Sequence, residues 1–201
     1  FPIINANMHI TTNNARLFKS HHIIEIDGMK ILFIGIITDT VISMAKKEAL
    51  IGSFVDIYDA AIEVERICNA YNSFDIDCTV LLTHIGFEED KLLAASLDPS
   101  LGVDIIIGGH SHTLLEKPEC VNGILIVQAG TGTDQIGRFD LEINTDSNRV
   151  QRFGWKSISI TDEHCPRDIA LEKILNPYKL EAEKKYSRVV TRLKRKLTHP
   201  S

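Results

Sequence analysis

The 201-residue sequence predicts an α/β fold with mixed sheets, and three observations carry that expectation. Short apolar runs of strand length alternate with stretches whose apolar residues recur at three- and four-residue steps. Two helix-then-strand units follow one another in the middle of the chain, which calls for a sheet with helices packed against it. A later series of strands separated by turn residues has antiparallel character, so both kinds of pairing are expected.

Phe1 to Met8 reads as a short strand. His22 to Ile37 reads as two strands joined at Asp27-Gly28, a dipeptide that tolerates positive φ and suits a tight hairpin. The second arm, Met29 to Ile37, is apolar almost without alternation, which fits a strand covered on both faces. From Asp56 to Tyr71 the residues Ala60, Ala61, Val64, Ile67, Cys68 and Tyr71 mark one face of an amphipathic helix. Cys78 to Thr83 is a β-rich run that leads into Thr83-His84-Ile85-Gly86. Glu88 to Leu97 is a second helix, acidic in its first turn and stopped near Asp98-Pro99. Val103 to Ile107 is the next strand, running into Gly108-Gly109-His110-Ser111-His112-Thr113.

Ile124 to Gln128, Ile136 to Ile143 and Val150 to Ile160 complete the strands, with Thr145-Asp146-Ser147-Asn148 as the turn between the last two. Arg167 to Leu197 reads as helical, with Pro177 as a break or kink and a basic end at Lys194, Arg195 and Lys196. No aromatic residues interleave that cluster, so it reads as a solvated helix face and not as a nucleic-acid site.

Composition narrows the function classes. With 44% hydrophobic and 24% charged residues the chain has the make-up of an ordinary globular domain with a real core. A formal net charge of -5 gives no global attraction to nucleic acid or to an anionic membrane, so a phosphate-bearing ligand needs a local cationic feature. The opening apolar run, Phe1-Pro2-Ile3-Ile4, is far too short to span a membrane, and without an initiator Met the native N-terminus is expected to lie upstream. Cys68, Cys78, Cys120 and Cys165 include no Cys-x-x-Cys pair and are expected to be ordinary buried or half-buried thiols.

The chemistry-bearing residues are histidines. In a sheet of parallel strands, the loops leaving the carboxyl ends converge at one edge, where ligands bind. His84 and the pair His110 and His112 both follow strands directly, so that edge can bring all three together. Gly108-Gly109 lets the backbone turn closely in front of His110 and His112, and one residue of spacing suits two cations a few ångströms apart. Neutral imidazole favours zinc, manganese, iron or nickel over magnesium or calcium. A lone strand-end histidine is more often a hydrogen-bonded structural residue than a ligand, and for His84 both readings stand. His9, His21, His22, His164 and His199 lie near polar loops, hairpins or Pro-containing turns without a partner at ligand spacing. Thr131-Gly132-Thr133-Asp134 reads as turn chemistry.

Three strings carry a family resemblance: Leu82-Thr83-His84-Ile85-Gly86-Phe87-Glu88-Glu89-Asp90, then Val103 through Gly108-Gly109-His110-Ser111-His112-Thr113, then Val127-Gln128-Ala129-Gly130. In this order and with this intervening helix, they resemble the 5′-nucleotidase branch of the calcineurin-like metallophosphoesterases, which includes UDP-sugar hydrolases and 2′,3′-cyclic-nucleotide phosphodiesterases. The resemblance implies part of a four-layer α/β/β/α sandwich with mixed sheets and a dinuclear site at one sheet edge. It makes His84 and His110 ligands of one divalent metal ion and His112 a ligand of the other. The family's upstream Asp-x-His, Gly-Asp and Gly-Asn-His-Glu or Gly-Asn-His-Asp strings do not occur here. Residues 1–201 are therefore expected to be the C-terminal half of the catalytic domain, with the bridging Asp, the Asn ligand, the acid/base His and a downstream nucleotidase domain outside the sequence. A sheet divided in this way is expected to expose an apolar strand edge, with poor solubility or aggregation of the isolated fragment.

The implied activity of the intact protein is metal-dependent hydrolysis of a small-molecule nucleotide phosphoester. The three histidines would hold metal and transfer no protons. Two other outcomes stay open: a non-catalytic metal-binding or interaction module on the same fold, and hydrolysis of a sugar nucleotide, a cyclic nucleotide or a thiosulfate ester. The family is often exported or periplasmic, with some intracellular members.

Overall fold

A computed structural model describes residues 1–39, 55–189 and 191, and the chain forms two compact units, Phe1–Ile160 and Thr161–Ser201. The basic cluster at 194–196 and His199 fall outside the described residues. No described helix is long and apolar enough to cross a membrane.

Unit one is built on a six-stranded mixed sheet. Strands β2 (His21–Ile26) and β3 (Met29–Ile37) form the hairpin expected at Asp27-Gly28, where φ values of 52° and 84° give the doubly positive turn that matches strand twist. Next to β3 lie β5 (Cys78–His84), β6 (Val103–Ile107) and β8 (Ile124–Val127), each parallel to its neighbour. The short β7 (Glu119–Val121) closes the far edge antiparallel to β8 through an Asn122-Gly123 turn, giving the order β2-β3-β5-β6-β8-β7. Ile37 lies opposite His84, Leu82 opposite Ile107, and Ile107 opposite Val127. The carboxyl ends of four strands therefore finish at one edge.

Both faces of this sheet are covered over most of its length. On one side helices α1 (Ala60–Ala70) and α2 (Phe87–Ser96) contribute Val64, Ile67, Cys68, Leu93 and Ala94 to a core shared with Leu32, Ile34, Leu81, Ile106 and Ile126. On the other, the hairpin of β9 (Gln135–Asn144) and β10 (Arg149–Ser159) packs Phe139, Ile143 and Val150 against Val80, Ile105 and Leu125. Ile31 and Phe33 join this second cluster while Leu32 and Ile34 join the first, so β3 is covered on both faces as its unbroken apolar run predicts. Between β5 and β6 the register slips by one at Asp104, and its buried carboxylate accepts the Thr79 N–H at 2.9 Å.

Two element starts in unit one need correction. The opening strand is not Phe1 to Met8 but β1, Met8–Ile10, because the Asn5 side chain accepts the Met8 N–H at 2.8 Å and turns the chain before it. The first helix starts at Ala60 and not near Asp56, since β4 (Val55–Ile57) pairs with β1 and Asp59 caps the helix through Ile62 N. Its buried face is the expected one, with Glu63 added. That carboxylate is held by Arg16 and Arg66 on neighbouring surface.

Unit two contains α3 (Ile169–Tyr186), capped by Asp168, whose side chain accepts from Ala170 and Leu171. The helix runs through Pro177 and is not ended by it: proline removes one backbone donor, and on this exposed helix water can satisfy the freed carbonyl. Of the cysteines, Cys68 and Cys78 are buried and Cys165 is half-buried, but Cys120 is exposed on the edge strand β7.

The two faces of α1 give a test of the packing. Ile67→Ala, at 3% exposure, should cost about 2–5 kcal/mol by cavity formation, whereas Ile62→Ala, at 62%, should stay within about 0.5 kcal/mol. Urea midpoints of the two variants check this, and equal losses would contradict the helix orientation.

Candidate metal centre

His84 is the last residue of β5, and His110 and His112 stand on the loop that leaves β6. The aligned register of these neighbouring strands places both segments at the carboxyl edge. The rings of His84 and His110 face each other there, with centroids 5.2 Å apart and planes at 70°. Partial burial first, then the nearby charges of His110 and His112, lowers the His84 pKa from 6.5 and so favours the neutral form that can ligate a metal.

The backbone that makes this possible is constrained. His110 and His112 both have positive φ, 76° and 57°, a region that costs a non-glycine residue about 1–3 kcal/mol unless the surroundings impose it. A side chain at Gly109 would place Cβ 2.9 Å from His84 Nδ1, and one at Gly108 would place it 2.2 Å from Asp90 Oδ2. The two glycines are thus needed for close approach: the His84 ring rests on one and the Asp90 carboxylate lies under the other.

Asp90, in the first turn of α2, is fully buried and accepts a 2.6 Å hydrogen bond from Thr83 Oγ1, the residue preceding His84. Its Oδ2 has no partner among the described residues. Burial pushes its pKa up from 3.8 to about 6. Gln128, which follows β8 and is 2% exposed, accepts from Ser111 Oγ at 3.0 Å and from Thr113 N at 3.1 Å. Ser111 Oγ also accepts the Phe87 N–H at 3.0 Å. Neither Ser111, Gln128 nor Asp90 is singled out by sequence reasoning, although all three lie within the motif strings. The signal was their position between and behind the histidines.

The donor set fits a transition-metal site in chemistry but does not complete one. Three imidazoles from two chain segments are the right ligand type, yet among the described residues no group of three His, Cys, Asp or Glu side chains is assembled to hold an ion. Leu82 and Ile107, on the hairpin side beside His84, remain 37% and 42% exposed. His9 is buried in β1 and stacks on Tyr58 at 4.0 Å, which corrects its expected polar-loop position. His21 and His22 are in β2, and His164 contacts Thr161 in an exposed turn. Thr131-Gly132-Thr133-Asp134 is an exposed turn, with Gly132 and Thr133 at positive φ.

No family model matches the chain. Curated relatives do. The endonuclease YhcR of Bacillus subtilis is 24% identical over 196 residues, covering 94% of this chain and 16% of the relative. The metallophosphoesterase YunD of the same organism is 30% identical over 198 residues, covering 96% of this chain and 40% of that protein. The trifunctional nucleotide phosphoesterase YfkN, also of B. subtilis, is 26% identical over 208 residues, covering 91% of this chain and 14% of YfkN. A crystal structure of the calcineurin-like phosphoesterase YfkN superposes with a TM-score of 0.76 at 21% identity, over 94% of this chain and 64% of that one. The chain thus spans less than half the length of each of these curated relatives.

Asp90 gives the centre a pH signature. Its folded-state pKa is raised, so the folded protein holds this proton more tightly than the unfolded chain, and the associated stability is present below about pH 4 and lost as pH rises through about 6. In metal-free protein, Asp90→Asn should match the wild type near pH 4 and exceed it by about 1–3 kcal/mol at pH 7. Urea titrations at both pH values check this, and parallel stability profiles would show that Asp90 does not titrate as described.

Proposed function

The chain belongs to the calcineurin-like metallophosphoesterases, a family of divalent-metal hydrolases, and from that premise we propose that His84, His110 and His112 hold metal in a phosphoester-hydrolysing centre. The observation that supports this most directly is the approach of the His84 and His110 rings to 5.2 Å at the shared strand edge. In this reading His84 and His110 serve one cation and His112 a second. Zinc, manganese, iron or a similar ion suits the imidazole donors. The chain is then the C-terminal half of a catalytic domain whose remaining ligands and acid/base histidine come from sequence beyond it.

Bound divalent cations would acidify the attacking water and neutralise the phosphoryl oxygens. The chain's own residues do three things. The imidazoles fix the positions of the cations, with His84 favoured in the neutral form it needs. Thr83 and Asp90 brace the strand end behind His84. Gly108 and Gly109 let the second loop approach without a steric barrier. No described residue is assigned proton transfer.

The proposed substrate is a nucleotide phosphomonoester, in keeping with the nucleotide phosphoesterase name of YfkN. The endonuclease name of YhcR favours a second reading, a phosphodiester in nucleic acid, which would use the same metal chemistry.

His110→Ala in the full-length protein should lower metal occupancy and turnover together, by more than the roughly 10–100-fold typical of outer-shell changes. Metal content by mass spectrometry, phosphate release from 5′-nucleotides, and chromatography of the products from cyclic nucleotides, sugar nucleotides and single-stranded DNA check both the site and the substrate. Unchanged occupancy and rate in the variant would refute the ligand assignment, and cleavage of DNA alone would replace the nucleotide reading with the second one.

A further inference from the structure

Three strand-end segments meet at the candidate centre, and one small polar cluster joins them. Ser111 stands between His110 and His112. Its Oγ accepts the N–H of Phe87, the first residue of α2, three positions after His84. It donates to Gln128 Oε1 at the end of β8, and it pairs with Thr113 Oγ1 at 2.9 Å. A hydroxyl offers one donor and two acceptor positions, and all three are used. Gln128 Oε1 receives Ser111 Oγ and the Thr113 N–H, and because a backbone N–H can only donate, the amide orientation is fixed.

The α2 terminus explains why the cluster is required. Its cap residue is Gly86, which supplies no side-chain acceptor for the first helical N–H groups. Ser111 provides that acceptor from a different segment, so capping the helix and anchoring the histidine loop are one interaction. Gln128 anchors the same loop from the opposite side. Further backbone bonds from Leu115 N to Gln128 O and from Gly130 N to Thr113 O extend the seam. Positive φ at both His110 and His112 is held between these fixed points.

We propose that Ser111 and Gln128 are positioning residues that set the distance between the His84 segment and the His110–His112 loop, and so determine metal affinity without touching metal. The proposal rests on the metal reading above. Losing the Ser111 hydroxyl leaves the Phe87 N–H uncapped and Gln128 Oε1 with one donor fewer, and the loop is freed to relax from its positive-φ geometry.

The test uses full-length protein, Zn²⁺ competition against a chromophoric chelator, and the visible spectrum of the Co²⁺ form. Ser111 is exposed, so Ser111→Ala should fold normally while binding Zn²⁺ about 10–100-fold more weakly and shifting the Co²⁺ bands. Ser111→Thr keeps the hydroxyl and should recover affinity and spectrum. Gln128→Leu should weaken binding similarly, and the double variant should lose less than the product of the two single losses, since both break one network. Should Gln128→Leu fail to fold, the Ser111 pair decides alone. Wild-type affinity and spectrum in Ser111→Ala, or failure of Ser111→Thr to recover them, would overturn the positioning role while leaving the ligand assignment intact. A wild-type protein that binds no Zn²⁺ would overturn both.

Discussion

The parallel ladder β3-β5-β6-β8 is the constraint on which the rest depends. Parallel pairing brings the four strand ends to the same edge; α1 lies between β3 and β5 and α2 between β5 and β6, while β6 reaches β8 through a loop and the short β7. With Leu82 opposite Ile107 and Ile107 opposite Val127, the residues that follow have no freedom to leave that edge before the first turn. His84, the His110–His112 loop and Gln128 are therefore neighbours because of register, before any side-chain interaction is formed. The two hydrophobic clusters on opposite faces fix that register, since a slip of one residue would send every side chain to the other face and mismatch it with the residues packed there.

Where the ladder stops, packing alone no longer decides geometry, and the chain relies on close approach and hydrogen bonds. Gly109 against the His84 ring and Gly108 against Asp90 give two contacts that a methyl group would block. Asp90 illustrates the balance involved. Its carboxylate is useful behind the loop because it fixes Thr83, yet burial with one oxygen unpaired disfavours its ionisation. A helix N-terminus partly offsets that cost, because the backbone dipole of the first turn favours negative charge.

Much of this was legible in the sequence, for reasons that differ by element. The Met29–Ile37 run announced a doubly covered strand, and Asp27-Gly28 announced its turn. The spacing of Val64, Ile67 and Cys68 gave the buried face of α1, but its start was misplaced because the pairing of β4 with β1 is a long-range contact that local periodicity does not encode. The Asn122-Gly123 turn is a strong local hairpin signal, but its flanking β7 is only three residues long, too short for a periodic pattern. At the candidate centre, the histidines were identifiable as candidate ligands by residue type. Ser111 and Gln128 were not, since serine and glutamine have no distinctive pattern and their role arises only when three strand ends meet.

The charge of the centre also bears on what must surround it. Imidazole ligands supply nitrogen donors but no negative charge, and two divalent cations brought together without anionic ligands would repel strongly in any water-poor site. Zinc takes four ligands and manganese commonly more, so on the proposed reading three donors shared between two ions would leave both coordination shells unfinished. Asp90 cannot supply the missing charge from where it stands, because its carboxylate is turned to Thr83 and buried beneath Gly108. The uncovered apolar patch of Leu82 and Ile107 lies beside His84, on the sheet face not reached by α1 and α2. A segment that brought carboxylates to this rim while covering that patch would meet both requirements at once: it would neutralise the cations and exclude the water that weakens every electrostatic contact they make.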